Sequence, residues 1–498
     1  MVRWALLAPS GCGIIRSVTA AIPPVLTPAY RLVFRLEILN RPGMFATVAQ
    51  TIGEAGGSLG AIDLVQATPA VHVRDVTVDV SDEATGERLG QRLRKLDGVR
   101  VRAVSDRTFL MHLGGKVEIQ GRVAVRTRDD LSLVYTPGVA RVCRAIAADP
   151  QQAWTLTMKP NTVAIVSDGT AVLGLGNIGP LGALPVMEGK ALLFRELAGI
   201  SAFPIVIDAK GADEIVRTVV AIAPGFGGIN LEDIAAPACF EVERELRERL
   251  DIPVFHDDQH GTAIVVLAGL QNAAAVCGVP LGSLRVAISG AGAAGLATAR
   301  TLRAAGVRDI VVCDRQGVLA RSRSDLGPTK AAFVEEVTPD AAPGTLADAV
   351  RGRDTFIGLS APGLLSLEMV RSMARPRIVF ALANPEPEID PLVAAPETDI
   401  LATGRSDHPN QVNNVLAFPG VFRGLLDARA SAMTPDMELA AAAALAATVP
   451  ARVRSAEYIL PSVFDRKVVP AIARTVARAA RAAGVARRGG SQRRQRPD

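Results

Sequence analysis

Aromatic side chains are scarce in this chain, making up 4% of 498 residues with only 2 Trp and 3 Tyr. None is interleaved with basic residues, so no stacking platform for nucleic acid is offered. Cysteine is equally sparse. Cys12, Cys143, Cys239, Cys277 and Cys313 are odd in number and nowhere spaced as C-x-x-C, which excludes a disulfide framework and a thiolate zinc site and points to a reducing, cytoplasmic compartment. No uninterrupted apolar run reaches the roughly 18 residues of a membrane span, so no membrane partner is expected. Net charge is small as well, at +5. Much of that surplus lies beyond Arg487, and residues 485–498 read as a solvated, disordered basic tail rather than a nucleic-acid contact.

What is present suits a large soluble enzyme. With 49% apolar residues over this length, two or three domains can each bury a core. Residues 1–30 contain Arg3 and Arg16 and no acid, but the run Trp4–Ala8 is too short for a signal core. They read as a disordered extension.

From Arg31 the pattern becomes βαββαβ. Leu32–Ile38 alternates as a strand, Asn40-Arg41-Pro42-Gly43 makes a turn, and Met44–Ile52 has helical spacing. Strands near 61–65 and 71–80, a charged helix near 85–96 and a strand at 99–104 follow. Residues 31–108 therefore resemble an ACT domain, a ferredoxin-like regulatory module. The resemblance implies an amino-acid or other metabolite effector at Asn40 and Gly43; a dimerisation module without ligand is the alternative.

Two acidic pairs carry the chemistry of the remainder. Glu232-Asp233 and Asp257-Asp258 each follow an apolar strand-like run, Val219–Ala223 and Ile252–Phe255. Carboxylates at strand ends ahead of helix starts are where open α/β sheets collect ligands, and four of them suit Mg²⁺ or Mn²⁺. Helix capping by the same residues is the competing reading.

Further on, the strand Leu284–Ser289 runs directly into Gly290-x-Gly292-x-x-Gly295 and a helix over 296–305, the context that a Rossmann fingerprint requires. The next strand ends at Asp314, 19 residues past Gly295, where an acid binds the ribose 2′-hydroxyl of NAD. Arg315 beside it leaves NADP open. A second match, Gly174-x-Gly176-x-x-Gly179, has no following strand with an acid and reads as a tight loop.

From Ser132 to Gly420 the chain resembles malic enzymes, block after block in the right order. The blocks are Tyr135-Thr136-Pro137-Gly138, Ser167-Asp168-Gly169-Thr170, Gly174 to Gly179 leading to Glu188-Gly189-Lys190, Glu232-Asp233 and His256 to Thr262. Gly290 to Gly295, Ser360-Ala361-Pro362-Gly363, Ala383 to Glu388 and Asn413 to Gly420 follow. The likeness is greatest to the compact bacterial type.

The resemblance implies an α/β fold: a catalytic domain at 115–275, a Rossmann-type NAD(P)-binding domain at 276–430 and C-terminal helices at 431–484 packing back on the body, preceded by the ACT-like domain. It implies oxidative decarboxylation of L-malate to pyruvate and CO₂ with NAD, or NADP, and Mg²⁺ or Mn²⁺ held by Glu232, Asp233 and Asp258. Lys190, helped by Asp257, would take the C2 hydroxyl proton. A lysine that is partly desolvated beside a dication loses stability in its charged form, so its pKa is expected to fall. Tyr135 would be the general acid. Ser360 and Asn384 would contact the cofactor, and Asn384 and Asn414 the substrate. An exposed helix lysine, a turn tyrosine and plain loop asparagines are the alternatives.

One departure stands out, because larger malic enzymes place an Arg soon after the Asp-Gly that corresponds to Asp168-Gly169. Thr170-Ala171 follows here, leaving the contact to the C4 carboxylate unassigned. A malolactic-type enzyme releasing lactate, and an ACT-bearing sensor with an inert catalytic domain, are the other functions weighed. A homodimer is expected.

Overall fold

A computed structural model describes residues 30–487, and the chain divides into two compact units at Leu113/Gly114. The expected N-terminal extension and basic tail lie almost wholly outside the described residues.

In the first unit, β1 (Arg31–Leu39), β2 (Ser58–Ala67), β3 (Val71–Asp79) and β4 (Val99–Asp106) form a sheet of order β2-β3-β1-β4, with helices Met44–Glu54 and Glu83–Arg94 as crossovers. Its paired strands are antiparallel, and the element order is that of ferredoxin-like folds. Strand alternation explains the layering. Phe34, Leu36 and Ile38 point to one face, where they meet Val76, Val78 and the helix residues Val48, Ile52, Leu89 and Leu93. Arg31 and Arg35 carry ion pairs to the residues directly opposite, Asp79 and Asp75. Gly43, at φ 89°, makes the turn into the first helix, a conformation that an L side chain resists. Edge strand β2 exposes its whole length, including Leu64 and Val65.

The second unit holds two largely parallel sheets. β5 (Thr162–Ser167), β6 (Ser201–Val206), β7 (Gly228–Leu231) and β8 (Val254–His256) lie in the order β6-β5-β7-β8, all parallel. β9 (Arg285–Ser289), β10 (Asp309–Asp314), β11 (Gly317–Val318), β12 (Thr355–Gly358), β13 (Ile378–Ala381) and β14 (Ile400–Thr403) lie in the order β11-β10-β9-β12-β13-β14, with only β11 antiparallel. Both orders reverse direction once, between β5 and β7 and between β9 and β12. Loops diverge at such points and leave a crevice beyond the carboxyl ends of the strands.

One expectation fails here. Val219–Ala223 is not a strand: it is the end of helix Ala212–Ile222, continuing into a 3-10 turn. Ile215, Val216 and Val219 are its buried residues, a spacing of one helical face, and the strand before Glu232 is the short β7. Between the sheets lies a single core. It takes in Val163 and Ile165 of β5, helix Thr262–Val276, Val286 and Ile288 of β9, and the C-terminal helices Phe418–Ala428, Pro435–Ala446 and Val468–Ala482. Gly420 and Gly424 let the first and last of these touch: a Cβ on Gly424 would come within 2.6 Å of the Ala473 carbonyl. Among the described residues no helix is long and apolar enough to cross a membrane.

Candidate active site

Parallel strands deliver their C-terminal residues to one edge, and this edge is acidic. Glu232 and Asp233 follow β7; Asp257 and Asp258 follow β8. Glu232, Asp233 and Asp258 each place a carboxylate oxygen within 4.8 Å of the others. Asp233 has φ 53°, and its backbone N–H donates to Asp258 Oδ2 at 2.9 Å. Its own Oδ2 is buried without a hydrogen-bond partner, a costly state that a cation ligand bond would relieve. Burial raises all three carboxyls above their ordinary values. Repulsion within the cluster adds to this, from Glu232 and Asp258 on Asp233, from Asp258 on Glu232 and from Asp257 on Asp258; Lys190 opposes it. The donor set of hard oxygens fits Mg²⁺ or Mn²⁺.

The turn after β8 is a π-helical one, Asp257–Gly261, a geometry common at functional sites. Gly261 is required there, since a Cβ would strike the Asp257 carboxylate. His256 is fully buried with neither ring nitrogen hydrogen-bonded, Nδ1 lying 3.7 Å from Asp258 Oδ2, and burial brings its pKa down to about 4, so it stands as a neutral imidazole. His260 is paired at both nitrogens, to Glu243 at 2.8 Å and Glu438 at 3.0 Å.

Lys190 extends from helix Gly179–Ala198, the crossover from β5 to β6. It is buried and donates to both Glu232 and Asp257. Asn414 Nδ2 donates to the same Asp257 oxygen at 2.5 Å, and the Lys190 ammonium lies 4.6 Å from the centre of the Phe418 ring. Burial disfavours its charge, but Asp257, Glu232 and Asp258 outweigh it and raise the pKa. Three carboxylates facing the amine are the source of this rise.

Not every expected site residue joins this cluster. Tyr135, at the end of helix Arg128–Val134, is 67% exposed and makes no side-chain hydrogen bond among the described residues. Asn384 stands elsewhere, at the β13 edge, its carbonyl in close approach to Gly174. The loop Gly174–Gly179, with Gly174, Gly176 and Gly179 all at positive φ, is a tight turn before the Lys190 helix rather than a dinucleotide fingerprint.

At the other sheet, Gly290 packs on the Leu359 carbonyl, and a Cβ on Gly295 would strike the Gly290 carbonyl. Gly292 immediately precedes helix Ala293–Ala304. Ser360 Oγ lies 2.8 Å from Ser289 Oγ across the β9/β12 crevice. Asp314 ends β10, where it accepts from Arg323 at 2.7 Å and Lys330 at 2.5 Å. The cations beside it are thus these two; Arg315 makes no ion pair among the described residues. In the first unit, Asn40 donates to the Pro69 carbonyl at 3.2 Å.

Sequence reasoning gave no role to Glu388, His260, Glu243, Glu438 or Phe418. Glu388 is fully buried and accepts backbone N–H groups of Ser360 and Ala383, each at 3.0 Å, joining the two cofactor-side loops. Its place in the Ala383–Glu388 block was the available signal; Glu243 and Glu438 carried none.

Residues 114–247 match the family described as malic enzyme, N-terminal domain, and residues 259–481 match malic enzyme, NAD binding domain. The chain belongs to the malic enzyme family. It is 54% identical to the NAD-dependent malic enzyme of Geobacillus stearothermophilus, over 92% of this chain and 95% of that protein. The bifunctional malic/malolactic enzyme of Bacillus subtilis (strain 168) is 52% identical, over 75% of this chain and 92% of that protein. The crystal structure of the NAD-dependent malic enzyme from Thermotoga maritima superposes with a TM-score of 0.72 at 44% identity, over 75% of this chain and 99% of that one. The match to the G. stearothermophilus protein spans 458 of the 498 residues and so takes in most of the first unit. The T. maritima malic enzyme is accounted for almost whole by three quarters of this chain.

Proposed function

We propose that this malic enzyme converts L-malate to pyruvate and CO₂ with reduction of NAD, using Mg²⁺ or Mn²⁺. The observation that carries the reading is Lys190, buried between Glu232 and Asp257 beside the three-carboxylate cluster. Glu232, Asp233 and Asp258 would hold a divalent cation, which would supply Lewis acidity toward substrate oxygen. A cation held there would offset the charge of Glu232 and Asp258, which together with Asp257 holds Lys190 protonated, and so would shift the balance toward the neutral amine that burial favours. Lys190 then accepts the C2 hydroxyl proton, with Asp257 and Asn414 fixing the direction of its amine. Tyr135 returns a proton to C3 after CO₂ departs. Ser360 and Asn384, on loops joined or packed at the β9/β12 and β13 edges, face the cofactor, and Asn384 and Asn414 the substrate. Arg323 and Lys330 beside Asp314 offer positive charge for a 2′-phosphate, so NADP is a second acceptor.

A side chain that protonates a bound substrate must face it, and Tyr135 lies in a stretch, residues 114–150, where no residue is buried. Ile119, Val123 and Leu133 are there 84%, 67% and 74% exposed. Contiguous apolar exposure of this kind marks an interface. We infer a homodimer in which a second copy covers this face and Tyr135 acts across it. The first unit we read as an ACT-like regulatory domain binding a small metabolite at Asn40 and Gly43, and the chain as cytoplasmic.

Absorbance at 340 nm with L-malate, Mn²⁺ and either NAD or NADP, followed by assay of pyruvate, tests the function. NADH matched by pyruvate is expected. The malolactic alternative weighed from the sequence matches the second activity in the name of the B. subtilis relative; lactate without net NADH would favour it.

A further inference from the structure

Both acids that follow β8 sit on the π-turn, and that turn is tied down by one buried carboxylate. Glu243, on helix Ala238–Arg249, accepts the His256 backbone N–H at 3.3 Å, the Gln259 amide at 3.1 Å and His260 Nε2 at 2.8 Å, and pairs with Arg247 at 2.8 Å. His256 precedes Asp257-Asp258 and Gln259-His260 follow it, so Glu243 grips the turn on both sides of the acids. The other ring nitrogen of His260 reaches Glu438, on helix Pro435–Ala446, at 3.0 Å. That helix contributes no group to the reaction proposed above.

We infer that His260, clamped between Glu243 and Glu438, is a positioning residue that aims Asp257 at Lys190 and Asp258 at the cation, so that helix Pro435–Ala446 sets cation and malate affinity. The inference rests on the proposed cation site. A clamp kept for stability alone would be a weak design, because buried ion pairs gain little over apolar packing once desolvation is counted. Groups that orient ligand residues are different: losing one typically weakens metal binding by about 10–100-fold.

The test is Mn²⁺ titration by calorimetry on the full chain without cofactor, comparing wild type, His260→Asn, Glu438→Ala, Glu438→Gln and Asp258→Asn, with melting temperatures and steady-state kinetics alongside. Glu438→Ala and His260→Asn are expected to bind Mn²⁺ about 10–100-fold more weakly. The KM for malate should rise while that for NAD holds, since the cofactor edge is built on the other sheet. Glu438→Gln, which keeps an acceptor for the ring N–H, should recover most of the affinity. If His260→Asn does not fold, Glu438→Ala decides. Mn²⁺ affinity within about twofold of wild type in a folded Glu438→Ala protein, or a lower melting temperature with unchanged affinity, would overturn the inference. Wild type binding Mn²⁺ no better than Asp258→Asn would instead remove the proposed cation site, and this inference with it.

Discussion

At Lys190, burial and three carboxylates act in opposite directions, and the charge on the amine follows whichever prevails. The proposed base role predicts that Lys190→Ala lowers kcat for malate-dependent NADH formation by about 10²–10⁴-fold, the range of one general base. Activity within a few-fold of wild type would sink the role. Asp314 offers a second single-residue test. Burial would raise its pKa, but Arg323 and Lys330 outweigh that and bring it from 3.8 to about 2. A depressed carboxyl contributes stability that is present above its unfolded value and lost as pH falls through its folded one. The melting-temperature gap between wild type and Asp314→Asn should therefore hold from pH 8 to about pH 5, narrow below about pH 4 and be largely gone by about pH 2. A gap unchanged at pH 3 would show that these ion pairs are not its source.

Elements bring such residues together only where backbones can approach. Gly261 lets the π-turn fold back on Asp257, and its added Cβ would also lie 3.3 Å from Asn414 Cβ. Gly261→Ala is expected to cost about 1–3 kcal/mol of stability, the usual penalty of overpacking, and to lower kcat/KM for malate by at least ~10-fold. Denaturant melts and initial rates check the two parts separately; full activity in the variant would show that the turn tolerates rearrangement. Much at this scale was legible from local pattern. Strand β9, the glycine turn, the helix after it and Asp314 at the end of β10 were all readable, because a fingerprint of this kind is local chemistry. Val219–Ala223 was not, since a short apolar run suits a strand or one face of a buried helix equally well.

For the whole molecule, the exposed face over residues 114–150 leads to the sharpest prediction. If Tyr135 acts across a dimer, Tyr135→Phe and Lys190→Ala proteins are each inactive but complement one another. Mixed dimers then hold one intact site, and an equal mixture after subunit exchange should recover roughly a quarter of wild-type activity. No recovery, with exchange verified by mass, would place Tyr135 in its own subunit's site or outside the reaction. Removing residues 1–108 should leave the basal rate within a few-fold and abolish any response to amino-acid effectors, as read from rates with and without each; an undiminished response would exclude the first unit as the sensor.

The sequence alone was enough to determine the family, the βαββαβ order of the first unit, the dinucleotide fingerprint and the acidic residues worth watching. Each depends on residues near one another in the chain or on motifs in fixed order. Only the tertiary structure decided that Lys190 meets Glu232 and Asp257 while Tyr135 stands exposed, that Arg323 and Lys330 rather than Arg315 flank Asp314, and that Glu243 and Glu438 converge on His260. These depend on which strand ends share an edge and which helices pack across it, and so on contacts between residues from 9 to 178 positions apart that no motif spacing records.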